Sequence, residues 1–151
     1  MWTTTEIITP ILFILGIIAA VRYHKKRRES IPKFGFKSAM PAGPHPSFQY
    51  LEDRLLRYLV ASSNSEALWT YRSITFFVVK DPHIKDKPVV ALADRLTKTI
   101  YIREASLTPN RAGMGVFLHE FAHIHFNTGD ETVARKWAGE ILNKMIEAGL
   151  I

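Results

Sequence analysis

The sequence contains no cysteine, and this absence excludes two kinds of structure at once. Disulfide bonds cannot form, and neither can metal sites built from thiolates. A chain without cysteine also fits a reducing compartment.

The chain also lacks a strong charge of one sign outside a single segment. Its formal net charge is +6, but residues 22 to 37 alone hold seven Lys or Arg against one Glu. Residues 38 to 151 hold thirteen basic side chains against twelve acidic ones. A nearly neutral domain does not carry the basic surface of a nucleic-acid-binding protein, so no nucleic-acid partner is expected.

An apolar segment near the amino end predicts a membrane anchor. Residues 7 to 21, IITPILFILGIIAAV, carry no charge, and with Trp2 to Thr5 they approach the roughly 20 residues that cross a bilayer. The basic cluster Arg22 to Arg28 follows this run, and no small-residue cleavage site is evident, so a secretory signal peptide is not indicated. We therefore expect residues 1 to 24 to be a single-pass anchor with the domain on the cytoplasmic side. Because the uncharged run is short, a buried core helix is the alternative.

The rest of the chain reads as a linker and one small domain. Residues 25 to 45 are basic and then rich in proline, which predicts a linker or an extended wrap around the domain. Residues 46 to 151 are then left for the domain itself. Helical spacing of apolar residues predicts a packing helix from about Pro46 to Ser62, and a short helical turn at 65 to 69.

Three later runs are rich in β-branched and aromatic residues and predict strands. They cover residues 74 to 79, 89 to 93 and 99 to 102. A hairpin through Asp94 to Thr97 is expected to join the last two.

The segment Val116 to Phe126, VFLHEFAHIHF, contains an H-E-x-x-H motif formed by His119, Glu120 and His123. In a helix one turn separates the two histidines, so both imidazoles project from one face and can bind a single metal ion. Glu120 lies at the rim of that face, about 60° from His123 and about 100° from His119. Neutral imidazoles suit Zn²⁺, and a carboxylate beside the ion can take a proton from water that the ion activates.

The residues around the motif are almost all apolar, which is typical of a buried helix. Polar side chains carried into a core need a reason, and a metal site supplies one. The alternative is that the spacing arose by chance and that the three are merely satisfied polar groups. We expect Thr108 or Ser106 to cap this helix, with Pro109 at its first position.

Helical geometry favours Glu131 as a third metal ligand. A second helix is predicted from Asp130 to about Ala148, with Glu131 near the middle of its apolar arc and Glu140 on the opposite side. Three protein ligands plus water is the usual arrangement of catalytic zinc. Asp130 and Glu140 remain alternative ligands. Thr128 to Glu131 also fits a capping box, in which Glu131 would bond back to the backbone of Thr128.

The H-E-F-A-H motif resembles that of the zincin metallopeptidases. The segment Glu131 to Leu142 also resembles the second helix of the ImmA/IrrE-like gluzincins, where a glutamate precedes an alanine and an aromatic-alanine pair. The resemblance covers about the last two thirds of the chain, although the connection between the two helices is shorter here than in that family. It implies an α+β fold, in which a short antiparallel or mixed sheet precedes the active-site helix and then the helix that supplies the third ligand. It also implies that an edge strand holds the substrate backbone.

Together these features predict a membrane-anchored, Zn²⁺-dependent metallopeptidase that hydrolyses peptide bonds in a peptide or protein substrate. Glu120 is the expected general base, and His119, His123 and Glu131 are the expected metal ligands. The alternative is a membrane-tethered binding or assembly protein that keeps a zincin scaffold without catalysis. The enzyme is favoured because a structural zinc site would not need Glu120 and usually fills all four positions with protein ligands.

Overall fold

The computed structural model describes residues 34 to 151, which form an α+β fold with four helices and two small sheets. Within this range Gly35–Ile151 is a compact unit. The predicted anchor, residues 1 to 24, and the first part of the predicted linker lie outside the described residues. Among the described helices, none combines the length and the apolarity that a bilayer crossing requires.

The elements follow the predicted order and confirm the α+β class. The four helices are α1 (Pro46–Ala61), α2 (Ser65–Arg72), α3 (Arg111–His125) and α4 (Glu131–Glu147). The strands are β1 (Phe34–Gly35), β2 (Ser38–Pro41), β3 (Thr75–Lys80), β4 (His83–Ile84), β5 (Lys87–Pro88), β6 (Ala91–Asp94) and β7 (Thr99–Arg103). A short 3-10 turn, Glu104–Ser106, follows β7.

The main sheet has the strand order β2-β3-β7-β6 and is mixed. Strands β3 and β7 run parallel, whereas the β2–β3 and β6–β7 pairs are antiparallel. The predicted hairpin is confirmed, because Asp94 at the end of β6 pairs with Thr99 at the start of β7. Strand β6 therefore forms one edge of this sheet, and it packs beside α3.

Strand β2 lies in a segment for which the sequence indicated only a linker or an extended wrap. It pairs with β3 in the register Ser38↔Lys80 to Pro41↔Phe77. All four of its residues are exposed, so there is no alternation of buried and exposed positions for a sequence pattern to reveal. Its partner β3 lies about 40 residues further along the chain, and the local sequence of β2 does not specify such a distant pairing. The second sheet, β1-β4-β5, consists of two-residue strands.

The hydrophobic core lies between one face of the main sheet and the helices. Phe48 on α1, Phe76 on β3 and Phe117 on α3 form an aromatic cluster with ring centroids 5.2 to 5.7 Å apart. The predicted buried character of α3 is confirmed, since Phe117 and Phe121 are fully buried. Burying a side chain of this size contributes about 1.5–3 kcal/mol, so α3 is held firmly against the sheet.

The start of α3 differs from the prediction. The cap is Asn110, whose Oδ1 accepts a hydrogen bond from the Gly113 N–H at 3.1 Å, and Pro109 precedes the helix. Thr108 instead donates its hydroxyl to Asn110 Oδ1 at 2.8 Å. A Cβ at Gly113 would stand 1.9 Å from the Thr108 carbonyl oxygen, so the approaching chain passes too close for any other residue there. The helix therefore begins at Arg111, with Asn110 rather than Thr108 as its cap.

Candidate metal centre

Three side chains from two helices converge on one point. The Nε2 atoms of His119 and His123 on α3 lie 3.3 Å apart, with the rings nearly perpendicular. From the start of α4, Glu131 places one carboxylate oxygen 3.1 Å from His119 Nε2 and the other 3.3 Å from His123 Nε2. The set meets the geometric requirement for a metal-binding group, with all ligand atoms within 4.8 Å of one another.

The backbone after α3 sets the tautomer of His123. Its Nδ1 lies 2.8 Å from the Thr128 carbonyl oxygen, which can only accept a hydrogen bond, so Nδ1 carries the proton. In the neutral ring Nε2 then carries a lone pair, and this lone pair is directed at His119 and Glu131. The chain reaches this position because Asn127 adopts a left-handed conformation, with φ of 46°, and Thr128 N–H donates to the His123 carbonyl at 3.0 Å.

The capping-box alternative for Glu131 is wrong. The cap of α4 is Asp130, whose Oδ1 accepts from the Thr132 N–H at 2.8 Å. The Thr128 hydroxyl oxygen accepts from the Asp130 N–H at 3.0 Å. With the helix end satisfied by these neighbours, Glu131 is directed to the histidines. Asp130 is therefore engaged as a cap, and Glu140 lies exposed on the far side of α4, outside the metal-binding group.

The donor types suit a zinc ion, and the three groups are close enough to share one. Donors about 2.05 Å from zinc in a tetrahedron lie about 3.3 Å from one another. The two Nε2 atoms are 3.3 Å apart, and each lies 3.1 to 3.3 Å from a different oxygen of Glu131, so that donors taken one from each residue lie within 4.8 Å of one another. Two imidazole lone pairs and a carboxylate so close together repel one another unless a cation or a proton lies between them. Partial burial lowers the pKa of His119, against a raising effect of Glu131, and this favours the neutral form that binds metal.

Glu120 stands beside this group and outside it. It lines a pocket of about 410 Å³ together with His119. Burial, and secondarily the charge of Glu131, raises the pKa of Glu120 to about 7, although the carboxyl accepts a hydrogen bond from the Ala93 N–H, which acts in the opposite direction. A carboxyl with this pKa can both accept and release a proton near neutral pH.

The same pocket opens along the edge of β6. Arg103 N–H donates to the Val90 carbonyl at 2.9 Å. Hydrogen-bonded pairs alternate along an antiparallel ladder, so the N–H and C=O groups of Ala91 and Ala93 point away from β7. Ala93 directs its N–H to Glu120, whereas Ala91 lines the pocket. In the part of the chain that the structure describes, β7 is the only strand paired with β6.

Sequence reasoning expected a strand edge at the site but did not identify Arg135 or the particular edge atoms. Arg135 lines the pocket from α4, one helical turn after Glu131. Its position at i+4 from a predicted ligand was a usable signal, because residues at that spacing share a helix face. The edge atoms of Ala91 gave no signal, since main-chain groups have no sequence signature.

His125 does not belong to the metal-binding group. Its Nδ1 lies 2.9 Å from the Thr70 hydroxyl on α2. Its ring packs among Phe121, Phe126 and Trp137 at centroid distances of 4.7 to 5.7 Å. His125 therefore joins α2, α3 and α4 together.

No family model matches the chain, and no curated protein or solved structure gives a significant match. Any functional conclusion therefore depends on the geometry and chemistry of the site.

Proposed function

We propose that the chain is a membrane-anchored, zinc-dependent metallopeptidase with a zincin-like domain of the gluzincin type. The observation that carries this proposal is the convergence of His119, His123 and Glu131 beside a carboxyl, Glu120, that is not part of the donor set. A purely structural zinc site usually has four protein donors and has no need of an adjacent base. Three donors facing an open pocket instead leave room for water and substrate.

In this proposal His119, His123 and Glu131 hold Zn²⁺. The bound ion supplies Lewis acidity, which polarises the scissile carbonyl and makes water more acidic. Glu120 accepts a proton from the attacking water as its oxygen bonds to the carbonyl carbon. It then delivers that proton to the amine nitrogen as the C–N bond breaks. The Ala93 main chain beside the Glu120 carboxyl favours its charged form, which is the form that accepts a proton.

The edge of β6 supports a peptide as the substrate. An extended peptide can add to an exposed sheet edge through main-chain hydrogen bonds. Ala91 offers its main-chain groups on that edge and lines the pocket that contains His119 and Glu120. A peptide aligned on β6 would therefore pass in front of the proposed metal site.

The order of elements also supports the zincin resemblance, because a mixed sheet precedes the motif helix and then the helix that carries Glu131. The membrane part of the proposal comes from the sequence, since residues 1 to 24 lie outside the described range. The proposed location is thus a single-pass anchor with the domain on the cytoplasmic side.

The test compares wild type with Glu120→Gln, which keeps the shape of the side chain and removes the base. Both proteins are loaded with Zn²⁺, their zinc content is measured, and peptide cleavage is followed over a broad peptide library. We expect cleavage to fall by at least about 100-fold in Glu120→Gln with zinc retained. Glu140→Gln, the same change at an exposed site on α4, serves as the control and should cleave like wild type.

Cleavage that persists unchanged in Glu120→Gln would rule out the proposed mechanism. If neither protein cleaves any peptide, and a cellular role survives Glu120→Gln, the chain acts as a membrane-tethered binding or assembly protein.

A further inference from the structure

We propose that Arg135 makes this pocket selective for peptides that carry a carboxylate, an inference that deepens the proposed function and rests on it. The carboxylate has two sources, the carboxyl end of a peptide and an Asp or Glu side chain. Both present the same group to a guanidinium, and the experiment below separates them.

The first step is the position of Arg135. It lies on α4 at four residues after Glu131, and it lines the pocket that also contains His119 and Glu120. Its side chain is 76% exposed, so a bound peptide can reach it from solvent. The edge of β6 contributes Val90 and Ala91 to the same pocket. A peptide that extends along β6 past the proposed metal site would therefore pass within range of this side chain.

The second step is charge. Among the described residues that line the pocket, Arg135 is the only Lys or Arg. Four of the others are small or apolar, and the remaining two are His119 and Glu120. Arg135 therefore supplies the positive charge that an anionic group of a substrate would meet in this pocket, although Glu131 beside it offsets part of that charge.

The third step concerns the groups that already engage Arg135. Its Nε lies 3.8 Å from Glu131 Oε2, which is an ion pair longer than a hydrogen bond. The planar guanidinium has five N–H donors, and it pairs with a carboxylate through two parallel hydrogen bonds. The contact with Glu131 therefore leaves donors for a second carboxylate, and a peptide supplies one.

The competing explanation is that Arg135 only orients Glu131 as an exposed i, i+4 partner on the helix. Such exposed pairs contribute little to stability. In that case loss of Arg135 would alter zinc binding without changing which peptide binds. The two explanations thus differ in peptide selectivity.

The experiment measures binding, so it needs no catalysis. Full-length Glu120→Gln protein loaded with Zn²⁺ is titrated by calorimetry with four N-acetylated peptides of equal length. One pair is polyalanine with a free carboxyl end or an amidated end. The other pair has amidated ends and carries a single Glu or a single Gln. Arg135→Ala, Arg135→Lys and Lys136→Ala are each added to the Glu120→Gln background, and zinc content is measured in every protein.

We expect the charged member of at least one pair to bind about tenfold more tightly than its neutral partner. Arg135→Ala should abolish this preference. Arg135→Lys should keep part of it, because the charge remains and the two-pronged geometry is lost. Lys136→Ala removes a charge from the same helix outside the pocket lining and should leave the preference unchanged. A preference in the first pair identifies the peptide end as the ligand, and one in the second pair identifies an acidic side chain.

Equal binding of charged and neutral peptides would overturn the proposal, as would a preference that survives Arg135→Ala or an absence of binding by all four peptides. Failure of the proposed function has a different signature. Either cleavage does not depend on Glu120, or the zinc content stays unchanged when His119, His123 or Glu131 is replaced. Even with those results, the difference in binding between charged and neutral peptides can still be measured.

Discussion

At the scale of single residues, the Thr128 carbonyl orients one side chain of the candidate centre. It accepts a hydrogen bond from the Nδ1–H group of His123 at 2.8 Å, and this bond orients Nε2 toward Glu131. The same turn places Asp130 as the cap of α4, which leaves Glu131 to face the histidines. The short connection between α3 and α4 thus orients one candidate ligand on each helix, His123 and Glu131.

The first prediction follows from the donor set. Wild type should bind about one Zn²⁺ per chain, and either His119→Ala or His123→Ala should remove most of it, because each leaves only two donors. Glu131→Gln should weaken zinc binding, whereas Glu140→Gln should not. Zinc per chain is measured by atomic emission after dialysis against a weak chelator. Stoichiometric zinc in a His119→Ala and His123→Ala double variant would show that the ion binds elsewhere.

The second prediction concerns Glu120 in the metal-free protein. Burial raises its pKa from 4.5 to about 7, so the folded chain holds this proton more tightly than the unfolded chain. As the pH rises from 4.5 to about 7, the unfolded chain loses this proton first, and the free energy of unfolding therefore falls. The loss should reach about 3 kcal/mol above pH 7. Glu120→Gln cannot lose a proton and should escape this decline.

Urea unfolding of metal-free wild type and Glu120→Gln at several pH values checks this second prediction. The variant should gain on wild type as pH increases from 4.5 to 7, and the difference should then level off. Glu140→Gln should follow wild type at every pH. Parallel curves for wild type and Glu120→Gln would mean that the Glu120 carboxyl titrates normally.

At the scale of whole elements, two helical glycines predict opposite responses to the same substitution. A Cβ at Gly113 on α3 would stand 1.9 Å from the Thr108 carbonyl oxygen, whereas a Cβ at Gly139 on α4 would meet nothing within 4 Å. Gly113→Ala should lower the free energy of unfolding by about 1–3 kcal/mol or more, because backbone must move. Gly139→Ala should raise it by about 0.5–1 kcal/mol through helix propensity.

Denaturant unfolding of the two glycine variants beside wild type provides the measurement. Gly139→Ala is the matched control, since it adds the same methyl group to a helix without a clash. Equal stability of the two variants would show that the approach of Thr108 to α3 is not tight.

At the scale of the whole molecule, the charge is concentrated next to the predicted anchor. Residues 22 to 37 hold seven basic side chains against one acidic, and the rest of the chain beyond them is nearly neutral. Basic clusters that flank an apolar segment remain on the cytoplasmic side. The fourth prediction is that the protein resists carbonate extraction from membranes, and that its carboxyl end is exposed on that side.

Protease added to the cytoplasmic face of sealed vesicles tests the orientation through a tag at the carboxyl end. The tag should be removed. A variant in which Lys25 to Arg28 are replaced by serine should lose this uniform orientation. A protected tag in the wild type would reverse the predicted topology, and release of the chain by carbonate would exclude an integral anchor.

Local sequence was sufficient for the helices and for the three candidate ligands. Helical periodicity depends only on side chains within a few residues, so the spacing of His119 and His123 and the buried face of α3 were readable directly. The apolar arc of α4 likewise indicated Glu131, and the structure places its carboxylate at both histidines. Composition that is equally local, namely runs of β-branched and aromatic residues, predicted strands β3 and β7 and the hairpin before β7.

Only the tertiary structure decided the features that depend on distant pairing. Strand β2 has four exposed residues and exists because β3 offers a partner. The cap of α3 is Asn110 rather than Thr108, and the Thr108 carbonyl packs closely against Gly113. The Ala93 N–H on Glu120 and the position of Arg135 in the pocket require β6, α3 and α4 to meet. The β2–β3 pairing and the contact of Ala93 with Glu120 join residues more than ten positions apart, and their geometry is set by packing that no local pattern records.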